Sequence, residues 1–353
     1  MLPLADLVLP TADEEIWRYS RIDQLEPGSF TASDPRTAVS GGAGVRITSE
    51  RVNSIAESDV FAQYNSEYQA TTVIDVPKGA VIAEPIVIDQ HTAAGAATFP
   101  RTVVRVAEGA QCTVVERFTS ESGVASLTVP VVAIEAAQGS NVSYLAVNDV
   151  DTAAWQIGHQ ILTGERDSAI NISTVTLGGY YTRVRTESRS AGQGASLRQV
   201  SLYFAAGDQM HDFRVHQDHD APNTNSDLLF KGAVQDRARS VYTGLISIRE
   251  HAKGTAANQT NRNLTLSEGA WAESVPNLDI RNNDVRCSHA STVGPIDQEQ
   301  RFYLESRGLR PEVAERLVVL GFFDEVLSQL PALDLVGELR SRVATRLSIG
   351  GAR

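Results

Sequence analysis

Seven short turn signals recur through the middle of the chain, and each precedes a stretch in which apolar and β-branched residues alternate with polar ones. They are KGA at Lys78, EGA at Glu108, QGS at Gln138, RDS at Arg166, QGA at Gln193, DRA at Asp236 and EGA at Glu268. Their central residues, Gly79, Gly109, Gly139, Asp167, Gly194, Arg237 and Gly269, stand 30, 30, 28, 27, 43 and 32 residues apart. The runs that follow, such as AVIAEPIVID, SNVSYLAVN and ARSVYTGLISI, carry the period of two that a half-buried strand requires. A corner repeated at this spacing suits a solenoid, in which each coil buries its inward face against its neighbours. The pattern predicts a mainly β chain with a right-handed parallel β-helix core over roughly 75 to 290. Even strand spacing also suits a β-sandwich or barrel, and pairing direction separates the two, because only the solenoid stacks its strands in parallel.

The two ends read differently from the middle. From Gln298 the pattern turns helical, with Gly308 suited to ending one helix and Pro311 to starting the next. Leu335, Leu339, Val343 and Leu347 then recur every four residues, with Arg340, Arg342 and Arg346 between them, a stripe that needs a surface to cover it. That surface is either the chain's own solenoid or another protein. At the N-terminal end Glu14 to Arg21 has helical character, and Ser40 to Gly44 reads as a loop. The expected division is a mixed, partly helical region over 1–70, a β-helix over 71–295 and a helical region over 296–353.

Composition narrows the function more than the fold. The 353 residues include 42% apolar and 21% charged ones, enough to bury a core. A formal net charge of -12 opposes the positive field that nonspecific nucleic-acid binding needs. The opening MLPLADLVLPTADEEIW lacks a basic n-region, no apolar run is long enough to span a bilayer, and two cysteines suit a reducing compartment. Cytoplasm is therefore expected, with neither nucleic acid nor membrane as a partner. There is no G-x-x-x-x-G-K-[ST] phosphate loop, H-E-x-x-H, G-x-S-x-G or C-x-x-C, so nucleotide hydrolysis by this chain alone is not expected.

Two places concentrate side chains with chemistry. Met210 to Ser226 holds His211, His216 and His219 with Asp212, Asp218 and Asp220, a density that suggests a metal site without a specific ligand spacing. The alternative is a loop whose side chains bond to water or to the turn backbone. The second place is DVRCSHASTVG, Asp284 to Gly294. In an extended run Val285, Cys287 and His289 share one face, while Arg286, Ser288 and Ala290 share the other. Thiolate and imidazole together suit iron, copper or zinc, but two ligands do not close a tetrahedral site. Either further ligands come from elsewhere, another polypeptide included, or Cys287 is a small buried hydrophobe and His289 a core or interface histidine. Cys112, in a β-rich run, reads as core.

Several stretches in matching order resemble the SufB/SufD family of iron–sulfur cluster assembly proteins, on its SufD side. They are HDAPNTNSDLLFKGAVQDRARSVYTGLISI (His219 to Ile248), NQTNRNLTLSEGAWAESVPNLDI (Asn258 to Ile280), NDVRCSHASTVGPID (Asn283 to Asp297) and FYLESRGLRPEVAERLVVLGFFDEV (Phe302 to Val326), with a weaker match at WRYSRIDQL (Trp17 to Leu25). The resemblance implies a β-helix between helical ends and a noncatalytic scaffold subunit. It implies pairing with SufB near Cys287 and His289, and binding of the SufC ATPase through the C-terminal helices. It further implies that His289, with Cys287 beside it, helps hold a transient iron–sulfur cluster shared with a SufB cysteine, and it leaves open a flavin at the level of the complex. Without partners, two copies could pair through the strands near Cys287. Two departures stand out: Ala290 follows the histidine where the family usually has glycine, and His211 and His216 lie outside the family pattern, unlike His219 and Pro222. The competing readings are a SufB-type scaffold, a metal-free adaptor for an ABC-type ATPase, and a β-helix carbohydrate-active enzyme using the acids between Asp212 and Asp220.

Overall fold

The computed structural model describes residues 3–49, 59–67 and 71–350. Its body is a β-solenoid of about eight turns, followed by helices at the C-terminus. Each coil gives one strand to each of two sheets, and successive coils pair in parallel. Parallel stacking is what separates a solenoid from the hairpin-built sandwich that the sequence also allowed. The nine-stranded sheet runs from Arg36–Ser40 through Ile86–Thr92, Gln111–Ser120, Asn141–Asn148, Ala169–Thr176, Ser196–Ala205, Asn225–Val234 and Thr255–Thr265 to Val285–Gly294. The facing, twelve-stranded sheet ends on Trp271–Ile280.

The alternation in the sequence becomes two buried faces. In Asn141–Asn148, Val142, Tyr144 and Ala146 point into the core between the sheets, while Leu145 and Val147 point outward. Those outward residues are covered by the C-terminal helices, so the middle of this sheet is buried on both faces.

One corner explains the spacing. Gly79, Gly109, Gly139, Asp167, Gly194, Asn223 and Gly254 all hold a left-handed backbone. The amide of each bonds to a carbonyl one coil on, as from Gly109 to Gln138 at 3.0 Å and from Asn223 to Lys253 at 2.8 Å. Glycine and Asx residues tolerate that conformation best, which is why they recur there. Arg237 and Gly269 belong to the opposite corner, beside the left-handed Asp236. The interval of 43 is thus a step from one corner to the other, and Asn223 and Gly254 fill the places the turn signals skipped.

The ends of the chain clasp the solenoid from outside. The described N-terminal residues form single 3-10 turns, short strands and one seven-residue helix, α1 (Val60–Ser66), rather than longer helices; Glu14 to Arg21 contributes only the turn Glu15–Trp17. Trp17, Ile22, Leu25, Phe61 and Tyr64 pack on Trp155, Ile157, Tyr181 and Met210, on the outer face of the twelve-stranded sheet. The C-terminal helices are α2 (Gln298–Ser306), α3 (Pro311–Leu327) and α4 (Leu333–Gly350). Asp297 caps α2 by accepting from the amides of Glu299 and Gln300, and Pro311 opens α3.

The stripe on α4 does not wait for another protein. Leu339 and Val343 are fully buried in the cluster that joins α3 to the outer face of the nine-stranded sheet, and Leu335 and Leu347 pack at its margin. Arg342 and Arg346 bond to Asp149 at a corner of the solenoid, and Arg340 bonds to Asp324 of α3. The last strand of each sheet, by contrast, has no neighbour on its far side among the described residues: Trp271–Ile280 is mostly half-buried and Val285–Gly294 mostly exposed. Among the described residues no helix is long and apolar enough to cross a membrane.

Candidate functional site

Cys287 and His289 lie on that final strand, at the open end of the solenoid. The strand is set by the corner before it. Asn282 donates to the Glu250 carbonyl at 2.6 Å and accepts from the Asp284 amide at 2.8 Å, while the Gly254 amide bonds to the Asp284 carbonyl at 2.7 Å. From there the register is fixed against Thr255–Thr265: Cys287 stands on Ala257, His289 on Gln259 and Ser291 on Asn261. Ala257, Gln259 and Asn261 are buried inside the solenoid, so Cys287 and His289 stand on the inward-facing side. Ser288, on the other face, donates to Asn258 at 2.7 Å.

The two residues differ in environment. Cys287 packs at the edge of the core, and burial raises its thiol above the ordinary range, opposed by a hydrogen bond with the Ala257 backbone. His289 is exposed at the mouth. Ala290 is not among the residues with a left-handed backbone, so its methyl group fits this strand without strain.

The cluster at Met210 to Ser226 separates. Met210–His219 is a strand of the twelve-stranded sheet, not a loop, and its alternation sends the histidines to different places. His211 and His219 are fully buried. His211 bonds through Nε2 to the Gly178 carbonyl at 3.0 Å, and His219 bonds to the hydroxyls of Thr224 at 2.7 Å and Ser226 at 2.9 Å. Burial pushes the imidazole of His211 down to about 3 and that of His219 to about 4, so both are neutral. His216 faces out and meets the Ser247 hydroxyl at 3.0 Å. Asp212 pairs with Arg183 and Arg214, Asp218 with Arg249, and Asp220 with Arg189. These donors cannot converge on one ion.

Among the described residues no group of three or more His, Cys, Asp and Glu side chains is placed to hold a metal ion. Cys287 and His289 therefore supply at most part of a coordination shell. Cys112 is a core residue whose thiol burial pushes up to about 12, out of reach of thiolate chemistry.

The register adds a residue that no motif marked. Gln259, one coil below His289, is 1% exposed, and neither atom of its side-chain amide has a hydrogen-bond partner. Its only trace in the sequence is the distance of one coil that separates it from His289.

Residues 88–322 match the family model for the SufBD core domain of the SUF system of FeS cluster assembly. An iron–sulfur cluster assembly SufBD family protein of Mycobacterium leprae is 33% identical over 98% of this chain and 92% of its own length. One from Mycobacterium tuberculosis is 32% identical over 97% of this chain and 90% of its own. The iron–sulfur cluster assembly protein SufD of Escherichia coli is 31% identical over 84% of this chain and 71% of that protein. A solenoid with a Cys-x-His strand at its open end, matched along nearly its whole length by such proteins, leads to one conclusion: the chain belongs to the SufBD family of iron–sulfur cluster assembly proteins.

Proposed function

We propose that this protein is a noncatalytic scaffold subunit that pairs with a SufB-type partner through the open end of its solenoid and presents His289, with Cys287 beside it, to a transient iron–sulfur cluster. The observation that carries this reading is the uncovered last coil. Two sheets stop there with unpaired edges, and the Cys-x-His strand is one of them. A strand edge with free N–H and C=O groups is a template for a second chain. Buried beneath it, the rest of the solenoid keeps the two side chains at a fixed register. A half-filled ligand set at an interface calls for donors from the partner, and the cluster is then cargo held between two proteins.

The region beyond residue 295 is the proposed contact for the SufC-type ATPase. Its exposed apolar residues lie on α2 and α3 rather than on the α4 stripe. Phe302 is 71% exposed, and Tyr303 (57%) and Leu317 (45%) line a groove together with Leu264 and Phe322. A second protein covering that groove would take Tyr303 and Leu317 out of water.

The test is anaerobic co-expression with SufB- and SufC-type subunits, followed by size exclusion. The wild type co-elutes with both. Ser291→Lys combined with Val293→Lys, two exposed changes on the last strand, abolishes co-elution with the SufB-type subunit while leaving the melting temperature of the isolated chain unchanged. Full co-elution of that double variant would remove the strand edge from the interface.

A further inference from the structure

The mouth of the solenoid is lined by polar atoms that no other group satisfies. Gln259 leaves both its amide oxygen and its amide nitrogen without a partner, and Tyr242 and Ser274 on the facing sheet leave their hydroxyls so. Tyr242 and Ser274 are register partners in the last two coils, at the same end of the lumen as Gln259. A buried amide with neither end bonded is costly, and such a group persists in a well-packed core for a reason other than stability. The fold also makes room for it: a Cβ at Gly244 would come within 2.5 Å of the Gln259 amide nitrogen, so only glycine opposite lets this side chain lie across the lumen.

Directly above, one coil on, stands His289. In-register neighbours on parallel strands are about 4.8 Å apart and project to the same side, which puts the imidazole and the amide one coil apart on the same inward face. A histidine that ligates a metal through one ring nitrogen holds its orientation by donating the other ring N–H to an acceptor. Apart from Gln259, the inward-facing neighbours of His289 on its own sheet are Ala257, Cys287, Asn261 and Ser291, and Asn261 already bonds to Tyr203 and Asn263.

We propose that Gln259 is the positioning residue of His289: its amide oxygen accepts the N–H of one imidazole nitrogen and leaves the lone pair of the other directed at the cluster iron. This deepens the scaffold reading above and rests on His289 being a ligand. The amide oxygen fixes one tautomer because it can only accept, so the ring nitrogen facing it must carry the hydrogen. Gln259 touches neither iron nor sulfide; it acts through His289.

The test uses the full chain with 15N-labelled histidine, as wild type, Gln259→Met and Gln259→Glu, with the His289 signals identified by their loss in His289→Ala. Methionine keeps the length and volume but removes both polar atoms, and glutamate restores an acceptor. Gln259→Met should melt no lower than the wild type, because it removes an unsatisfied amide, which shows that the variant folds. The wild type is expected to show one dominant neutral tautomer at His289, Gln259→Met a mixture, and Gln259→Glu a single tautomer again. In the anaerobic complex with SufB- and SufC-type subunits, cluster absorption falls about tenfold in Gln259→Met and recovers in Gln259→Glu. An unchanged tautomer in Gln259→Met overturns the proposal whatever the cluster does. Unchanged absorption in His289→Ala overturns the ligand reading and the positioning role with it, and leaves the tautomer shift as evidence of contact alone.

Discussion

The guanidinium of Arg183 sits over the ring of Trp17, its central carbon 3.9 Å from the ring centroid, and the same group donates to the Asp212 carboxylate at 2.8 Å and to the Ile16 carbonyl at 2.8 Å. Arg214, the other partner of Asp212, reaches the Arg18 carbonyl. A buried carboxylate thus sets two arginines, and the arginines hold the N-terminal segment on the outside of the solenoid.

Breaking that clasp should be expensive. Asp212→Ala leaves two guanidinium groups without their counter-charge and is expected to cost about 3–5 kcal/mol in denaturant unfolding. Burial alone would raise this carboxyl, but Arg214 and Arg183 hold it below the usual range. Its stabilisation is therefore present above about pH 4, the ordinary carboxylate value, and is lost as pH falls through the lower folded value. Protease nicking near Trp17 that is no faster in Asp212→Ala than in wild type would contradict the clasp.

The two buried histidines predict acid sensitivity in a higher window. Both have folded values depressed to about 3 and about 4 by burial. Their stabilisation is complete above the ordinary value of about 6.5 and declines as the unfolded chain takes up protons that the folded chain refuses. Stability should fall between about pH 6.5 and pH 4 by about 1.4 kcal/mol per pH unit for each histidine. Unfolding of His211→Gln measured across that range should show about one proton less in the slope, and an identical slope would count against a neutral, buried His211.

The corner column predicts unequal costs for one substitution. Gly79 and Gly254 both have positive φ, yet a Cβ meets nothing at Gly79 and comes within 2.4 Å of the Asn223 side chain at Gly254. Gly79→Ala should cost about 1–2 kcal/mol for the left-handed backbone alone. Gly254→Ala should cost more, since Asn223 must also move. Equal melting temperatures for the two variants would mean that the stacked corner adds nothing.

On α4, Leu339→Ala opens a cavity between helix and sheet and should cost about 2–5 kcal/mol, without weakening co-elution with a SufC-type ATPase. A loss of co-elution with unchanged stability would return the stripe to an intermolecular role.

What the sequence made legible was the periodic part. Alternation and the Gly–Asx corner signals are local properties, so a solenoid could be read from AVIAEPIVID or ARSVYTGLISI without any tertiary information. The jump from Gly194 to Arg237 was not legible, because Asn223 and Gly254 serve the same corner without the same triplet. Nor could periodicity tell which surface Leu339 and Val343 cover, since an amphipathic stripe looks the same on its own solenoid or on a partner. The histidines of Met210 to His219 looked like a ligand cluster because linear density hides alternation; once the run is a strand, His211 and His216 face opposite ways. Cys287 and His289 were legible as a pair on one face, but the orphaned amide of Gln259 beneath His289 appears only when coils are laid in register.

The central claim, that His289 at the open end of the solenoid ligates a cluster shared with a partner chain, is tested most directly by one comparison. Wild type and His289→Ala are co-expressed anaerobically with SufB- and SufC-type subunits, and the complexes are compared by visible absorption after size exclusion. The predicted result is an intact complex in both cases, with cluster absorption present in the wild type and lost in the variant. A complex of undiminished colour with His289→Ala would contradict the account and leave DVRCSHASTVG as interface packing.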